Sequence, residues 1–508
     1  MVMVVSETAS LAADVLRFPG QLKPQHLDAA RGPVYLEISE TAIREVRDCR
    51  AYVDELIRAG TDVYGATTGY GALVGFAARP DLTEQSQGLV DFLSAGQGTA
   101  LPPHMVRAML LARVWGLAQG KSGVSPSVLT ALVGALATRL APVVPEYGSV
   151  GASGDLVPLA HAVAALMGQG EMFLDGARMP ASAALRHEQL DRLTLSGRDG
   201  LALVNGTSLT SAAAGLACAQ AIRSVAAAVA LSALLAEVLG AEIEFASEAL
   251  LEASGHSGGI DVAARLRAWM RGASPSGTRP LQEPYSLRCV PQLVGAVLSS
   301  VRHATGIVTT DLNGVSDNPL FFPRTNEVLH GGNFFGQPVA FAADLLSNSL
   351  TQLANLAERQ LDLLMDPDRN TGLPPSLAAE PGRQHGLTGV QITATAIVVA
   401  MRRAAIPAAM QSISTNQHNQ DIVPFGNQAA ITAYEQAQKL RWVQGSLALA
   451  LRQAVHLGGR RPTSAEGSAF LERLNDAIKA VDPDRPLDED VRNAADVLDE
   501  IPTNCLGG

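Results

Sequence analysis

From Thr207 to Leu239 the chain is almost entirely alanine, leucine, valine and serine. From Val339 to Met365 apolar residues recur in steps of three or four, at Leu346, Leu350, Leu353, Ala357, Leu361 and Leu364. Such steps line one side of an α-helix, and a run that is apolar all round predicts a helix buried on every face. Gln391 to Ala409 and Ala429 to Val455 repeat the style, so the later part of the chain reads as a bundle of long helices. Apolar residues are 47% of the chain and aromatic ones only 4%. The core must therefore be built from Ala, Leu and Val, which suits close helix packing better than a sandwich. The expected fold class is mainly α. The most membrane-like run, Val225 to Ala236, is closed by Glu237 and falls short of the ~20 apolar residues that a span requires; it reads as a core helix.

The earlier part is more broken. Thr41 to Arg58 is amphipathic, and a glycine-rich loop follows, VYGATTGYGALVG from Val63 to Gly75. Met105 to Leu117, Pro126 to Leu140 and Leu156 to Met167 read as helices, the second with Ser125 as N-cap and Pro126 at its first position. Phe173 to Ala184 holds Gly176 and Pro180 and reads as a hairpin. Polar residues then continue to about Asp199, which places a boundary between an N-terminal lobe, residues 1–200, and the helix bundle, residues 201–508. The acidic tail from Asp482 to Asp499 is expected to be a peripheral helix.

The formal net charge is -11, and no lysine or arginine run stands out. That leaves out the electrostatic footprint of a nucleic-acid or anionic-membrane binder. Cys49, Cys218, Cys289 and Cys505 are scattered without CxxC spacing, and the start shows no secretory leader; both point to a reduced, cytoplasmic protein. The histidines show no metal-ligand spacing, so no metal is expected.

GSVGASGDLVPLAH, Gly148 to His161, sets its smallest side chains side by side. A nucleophile elbow needs glycines two before and two after its serine, and Gly151-Ala152-Ser153-Gly154-Asp155 fails at the second. The loop around Gly69, Gly71 and Gly75 lacks the glycine spacing and the βαβ setting of a dinucleotide site. An isolated Ala-Ser-Gly is ordinarily a tight turn before a helix.

The full string ASGDLVPLAH resembles the signature of the histidine and aromatic amino-acid ammonia-lyases. In that family the triplet cyclises to the methylidene-imidazolone group, MIO. The resemblance implies that the amide nitrogen of Gly154 attacks the carbonyl of Ala152 and that two waters leave, one with the oxygen of Ser153. Ring closure brings backbone atoms together that larger side chains would hold apart, which gives the small residues a reason. No external cofactor is then needed. Further motifs follow in the family's order from about Tyr64 to Asp421. VYGATTGYG is similar to the tyrosine loop, whose Tyr64 would be the catalytic base and whose Gly71 would border the substrate. LALVNGTS places Asn205 beside the prosthetic group. PYSLRCVPQ supplies Tyr285, Arg288 and Gln292; DLNGVSDNP and HGGNFFGQP follow, the latter with Asn333 and Phe334; and NQHNQDIV ends the set with Gln420. The implied architecture is a helical homotetramer whose active sites draw loops from three subunits.

These residue types also suit the reaction. Removing ammonia from an α-amino acid takes a β-proton that is hardly acidic and an amine that must be made a better leaving group. A phenolate at Tyr64 would be the base, if positive or hydrogen-bonding neighbours lower a pKa of about 10 in water. Arg288 would hold the carboxylate, while Asn205, Tyr285, Gln292 and Gln420 would position the amine and polarise the ring carbonyl. Attack by the substrate amine and attack by its ring both stay open. Taken singly, Tyr64 could pack, Arg288 could pair at the surface and Asn205 could cap the helix that follows. His161 and His330 are expected to orient loops, and Asp155 either caps the next helix or polarises ring closure. In LVDFLSAG, Phe92 and Leu93 stand where histidine-specific members carry Ser-His and tyrosine-specific members His-Leu. An apolar pair leaves a tyrosine hydroxyl unpaired at a cost of about 1–3 kcal/mol, which favours phenylalanine, giving trans-cinnamate. Gly88 in place of the usual asparagine, and Tyr70 in place of phenylalanine, imply a wider or more polar pocket. A tyrosine ammonia-lyase, an aromatic 2,3-aminomutase and a non-catalytic helical scaffold are the rival readings.

Overall fold

The computed structural model describes residues 15–503 and Leu506; Cys505 and the opening residues on which the leader expectation rests lie outside the described residues. The protein is mainly α-helical, with short strands paired in small sheets of two or three. It divides into two compact units. The first comprises the chain up to Leu216 with Thr305–Asp344 and Pro407–Ile431, and the second comprises Ala217–Ala304, Leu345–Ile406 and Thr432–Gly508. The sequence boundary near residue 200 followed a polar loop, whereas compactness follows contacts, so two later stretches count with the first unit.

The long apolar runs form the helices Ser208–Leu239, Gln337–Met365 and Gly426–His456. Ser208–Leu239 is, by length and composition alone, able to cross a membrane, which the shorter run Val225 to Ala236 did not suggest; 89% of its most apolar window is buried inside the protein. In the second unit, glutamines brace these alanine-rich helices: Gln444 Nε2 donates to the Ser224 carbonyl at 2.8 Å and Gln360 Nε2 to Ser232 Oγ at 2.8 Å. Each such bond satisfies a polar group that burial would otherwise penalise.

In the first unit the amphipathic helix is Glu40–Arg58, capped by Ser39 Oγ. The hairpin pairs Glu171–Leu174 with Ala177–Pro180. Its turn residues Asp175 and Gly176 have φ of 49° and 82°, the left-handed pair that a two-residue hairpin loop requires. Ser125 precedes the helix Pro126–Leu136, yet its hydroxyl does not cap it. The buried Asp199 carboxylate takes both the Ser125 N–H and its hydroxyl, each at 2.7 Å, and so draws the hydroxyl away from the helix. That helix ends at Leu136 rather than Leu140, where the buried Arg107 collects carbonyls at and beyond its end, Leu136 O at 2.9 Å and Leu140 O at 2.7 Å. The helix expected over Gln391 to Ala409 runs Thr388–Ala404, short of Pro407. The acidic tail forms the helix Asp488–Asp499.

Candidate active site

Around the Ala-Ser-Gly triplet the backbone doubles back on itself. Gly151 and Gly154 have φ of 71° and 68°, and they pair across an antiparallel bridge. Gly154 also pairs with Gly206, and the Asp155 N–H donates to the Gly206 carbonyl at 2.8 Å. A Cβ on Gly154 would lie 2.3 Å from both the carbonyl carbon and the oxygen of Gly206. Only glycine fits, for conformational and steric reasons together. Asp155 is fully buried and does not cap the helix Leu156–Leu166 with its side chain. Its carboxylate accepts from Ser149 Oγ at 2.8 Å and from the N–H and hydroxyl of Thr210 at 2.8 and 2.9 Å. Burial raises its pKa, and those hydrogen bonds oppose the rise. The aspartate thus ties the triplet to the first turn of Ser208–Leu239.

Ser153 faces a cavity of about 1030 Å³ formed by the first unit, with Tyr64, Asn205 and Gln420 also on its wall. Gly71, Phe92, Leu93 and Phe334 line the same space. Ala152 and Gly154 lie buried behind the serine.

The tyrosine loop is fixed from several sides. The phenolic oxygen of Tyr64 accepts the Gly71 N–H at 2.9 Å, and its ring meets Tyr70 edge-on at 6.5 Å. The Tyr70 hydroxyl donates to the carbonyls of Gly65 and Gln85, each at 3.4 Å. Burial pushes that phenol up to about 12, so it stays protonated at neutral pH. Gly71 has φ of 54°, and a Cβ there would sit 2.3 Å from Asn416 Nδ2. Asn416, Gln417 and His418 have φ of 52°, 53° and 63°, a run of left-handed non-glycine residues that costs energy and calls for support from its surroundings. The loop is closed by Thr415 N–H donating to the Gln420 carbonyl at 3.0 Å. Its side-chain amide then reaches the triplet: Gln420 Nε2 donates to Ser153 Oγ at 2.8 Å.

Asn205 ends the helix Asp199–Val204 rather than opening the next one. Its Nδ2 donates to the Asn318 carbonyl at 3.1 Å, and its buried Oδ1 has no partner. Asn318 is a cavity residue that the sequence reading passed over, although its segment DLNGVSDNP had been singled out. Its Oδ1 accepts the Gly331 N–H at 2.8 Å, and its carbonyl also receives Arg198 Nη2 at 2.8 Å. Arg198 in turn pairs with Asp317 at 2.9 Å, both fully buried. The available sequence signal was the Asp-Asn-Pro turn chemistry of that loop. His330 lines the cavity, and His161 Nε2 accepts the Gly96 N–H at 3.0 Å, holding a loop.

Other expected site residues are not in this wall. Asn333 is exposed and does not line the cavity. Tyr285, Arg288 and Gln292 belong to the second unit and are not among the lining residues. Tyr285 is 71% exposed, with the Arg288 guanidinium 4.5 Å from its ring centre. Gln292 is exposed on the helix Val290–Asn313. Among the described residues, no three His, Cys, Asp or Glu side chains converge as metal ligands.

A helical protein that presents a doubled-back Ala-Ser-Gly and a loop tyrosine to one cavity matches a known class. The family model for aromatic amino acid lyases fits residues 24–479. A tyrosine ammonia-lyase of Cereibacter sphaeroides is 40% identical over 91% of this chain and 93% of its own. A histidine ammonia-lyase of Anaeromyxobacter sp. (strain K) is 37% identical over 93% and 95%. Among solved structures, a tyrosine aminomutase from Streptomyces globisporus superposes with a TM-score of 0.89 at 31% identity, covering 97% of this chain and 98% of that one. Histidine ammonia-lyase from Trypanosoma cruzi gives 0.88 at 29%, covering 96% and 93%. The chain belongs to the aromatic amino acid lyase family, and it is a carbon–nitrogen lyase.

Proposed function

We propose that this enzyme removes ammonia from L-phenylalanine to give trans-cinnamate, with an MIO group formed from Ala152, Ser153 and Gly154. The residues fit that group. Gly154 sits in a cradle that a Cβ would fill, and Asn205, which lines the cavity, has a buried Oδ1 without a hydrogen-bond partner. The group would supply an electrophilic carbon that makes the substrate's amine a better leaving group. The chain does the rest. Tyr64 takes the β-proton as the bond from the α-carbon to nitrogen breaks, a double bond forms between the two carbons, and ammonia departs with a proton. The Gly71 N–H is aimed at the phenolic oxygen where negative charge must be held. Gln420 and Asn205 position the amine and the ring carbonyl. Phe92 and Leu93 receive the aromatic ring, and Gly71 and Phe334 bound it.

Tyr285, Arg288 and Gln292, with Asn333, complete the site from neighbouring subunits of a homotetramer, Arg288 holding the carboxylate. Their place outside the cavity wall supports that reading, as do the exposed Phe341, Ile413 and Ile422. Among the described residues Cys49, Cys218 and Cys289 form no disulfide, which is consistent with a cytoplasmic setting.

The observation that carries the substrate choice is the apolar Phe92-Leu93 pair on the cavity wall. A second reading, tyrosine as substrate, is favoured by the 40% identical tyrosine ammonia-lyase. A third, an aminomutase, is favoured by the tyrosine aminomutase fold match. One experiment decides: phenylalanine, tyrosine and histidine are supplied separately and all products identified. Cinnamate from phenylalanine as the fastest reaction supports the proposal. Faster release from tyrosine, or accumulation of a β-amino acid, replaces it with the corresponding rival.

A further inference from the structure

The cavity wall holds a cation that none of these roles uses. Arg79 lines it, together with Gly88 and Phe92 from the helix Leu82–Leu93. Gly88 and Phe92 are four residues apart and so lie one above the other on the same helix face. A Cβ on Gly88 would stand 3.5 Å from the guanidinium carbon and 3.5 and 3.6 Å from the two terminal nitrogens of Arg79. The guanidinium therefore borders position 88 at van der Waals distance, where a side chain longer than alanine would meet it. Among the described residues it makes no side-chain hydrogen bond or ion pair. Among the described residues, no aspartate or glutamate lines the cavity, and Arg79 is its sole arginine or lysine. Tyr70 and Gln85 stand on the same wall, with Tyr70 6.1 Å from Phe92, ring centre to ring centre.

We infer that Arg79 is a specificity-determining residue: its guanidinium, beside Gly88, receives a carboxylate or nitro substituent on the substrate's aromatic ring. The inference rests on the proposed seating of the ring against Phe92 and Leu93. A guanidinium offers paired N–H donors to a carboxylate or nitro group, and the absence of a competing carboxylate on the wall leaves those donors for the ligand. The substrate class is then widened to phenylalanines carrying a two-oxygen acceptor, a carboxylate or nitro group, at the far end of the ring.

The test uses the full-length enzyme, Arg79→Ala and Gly88→Asn, with L-phenylalanine, 4-nitro-L-phenylalanine and 4-carboxy-L-phenylalanine as substrates. Because the space beside Gly88 is bounded by a flexible side chain, Gly88→Asn keeps the arginine but displaces it. Comparing each compound's ratio to phenylalanine between variant and unaltered enzyme cancels the electronic effect of the ring substituent. The expected result is that kcat/KM for the carboxy and nitro compounds, relative to phenylalanine, falls about fivefold or more in both variants, as for a partly exposed charge-assisted contact. Calorimetric Kd values for cinnamate and 4-carboxycinnamate are expected to move in the same direction, with only the latter weakened. Unchanged ratios overturn the inference. An equal fall for every substrate also overturns it, because it assigns Arg79 to the α-carboxylate that all share. If no aromatic amino acid is turned over by the unaltered enzyme, the functional reading fails with it.

Discussion

Gly154 and Gly206 meet backbone to backbone, so closely that a Cβ on the former would lie 2.3 Å from the latter's carbonyl carbon. This contact presses the triplet against the start of Ser208–Leu239 and lets the Asp155 N–H reach the Gly206 carbonyl. Gly154→Ala is expected to destabilise the protein by about 2 kcal/mol or more, through both the left-handed φ and the clash. It should also leave the triplet uncyclised. Denaturant unfolding with peptide mass analysis checks both; a variant of full stability that still cyclises contradicts the steric account.

Ser153→Ala removes the oxygen that must leave and the acceptor of the Gln420 amide while leaving the backbone cradle in place. Turnover is expected to drop by about a thousandfold or more, with circular dichroism unchanged. Residual turnover within a few-fold of the unaltered enzyme is the contrary result.

Tyr64→Phe deletes the oxygen held by the Gly71 N–H. For a base acting on the β-proton, kcat should fall by about 100-fold or more while KM changes little. A rise in KM at constant kcat would make Tyr64 a binding residue only.

Arg107 is buried, and its guanidinium donates to four carbonyls: Ala30 at 3.0 Å, Gly32 at 2.6 Å, Leu136 at 2.9 Å and Leu140 at 2.7 Å. Arg107→Lys keeps a charge but cannot span that fork. A loss of about 3 kcal/mol in urea unfolding is expected; a loss under about 1 kcal/mol would show that the fork is dispensable.

His104 is held down to about 4 by burial first and by Arg31 second, with Asp28 opposing. Its neutral form is the one that folds, so the unfolded chain binds more protons between about 4 and the ordinary 6.5. Stability should therefore fall as pH drops through that window, and His104→Gln should flatten the fall in thermal unfolding scans. Identical pH profiles for the two proteins contradict this.

The helix bundle was legible because Ser208–Leu239 and Gln337–Met365 state their burial in spacing alone. What escaped was decided by long-range partners. Ser125 looked like a cap until Asp199, far along the chain, took its hydroxyl. The helix after it ends early where Arg107, from an earlier segment, claims carbonyls at and beyond its end. Tyr64, Ser153, Asn205 and Gln420 were each found as members of motifs, and the fold brings them to one cavity. Asn318 and Arg79 were missed for a common reason. The Asp-Asn-Pro pattern marks a turn around Asn318 but not its cavity role, Arg79 carries no local pattern, and each is placed by what surrounds it: the buried Arg198–Asp317 pair for one, the absent side chain at Gly88 for the other.

The central claim is that three adjacent residues become the reactive group. Purified protein is digested, and the peptide spanning Ala152 to Gly154 is weighed and fragmented. The account predicts a mass lighter than the encoded sequence by two waters, with the loss confined to those residues and absent from Ser153→Ala. A peptide of full encoded mass, from enzyme that nonetheless releases ammonia from an aromatic amino acid, would contradict it.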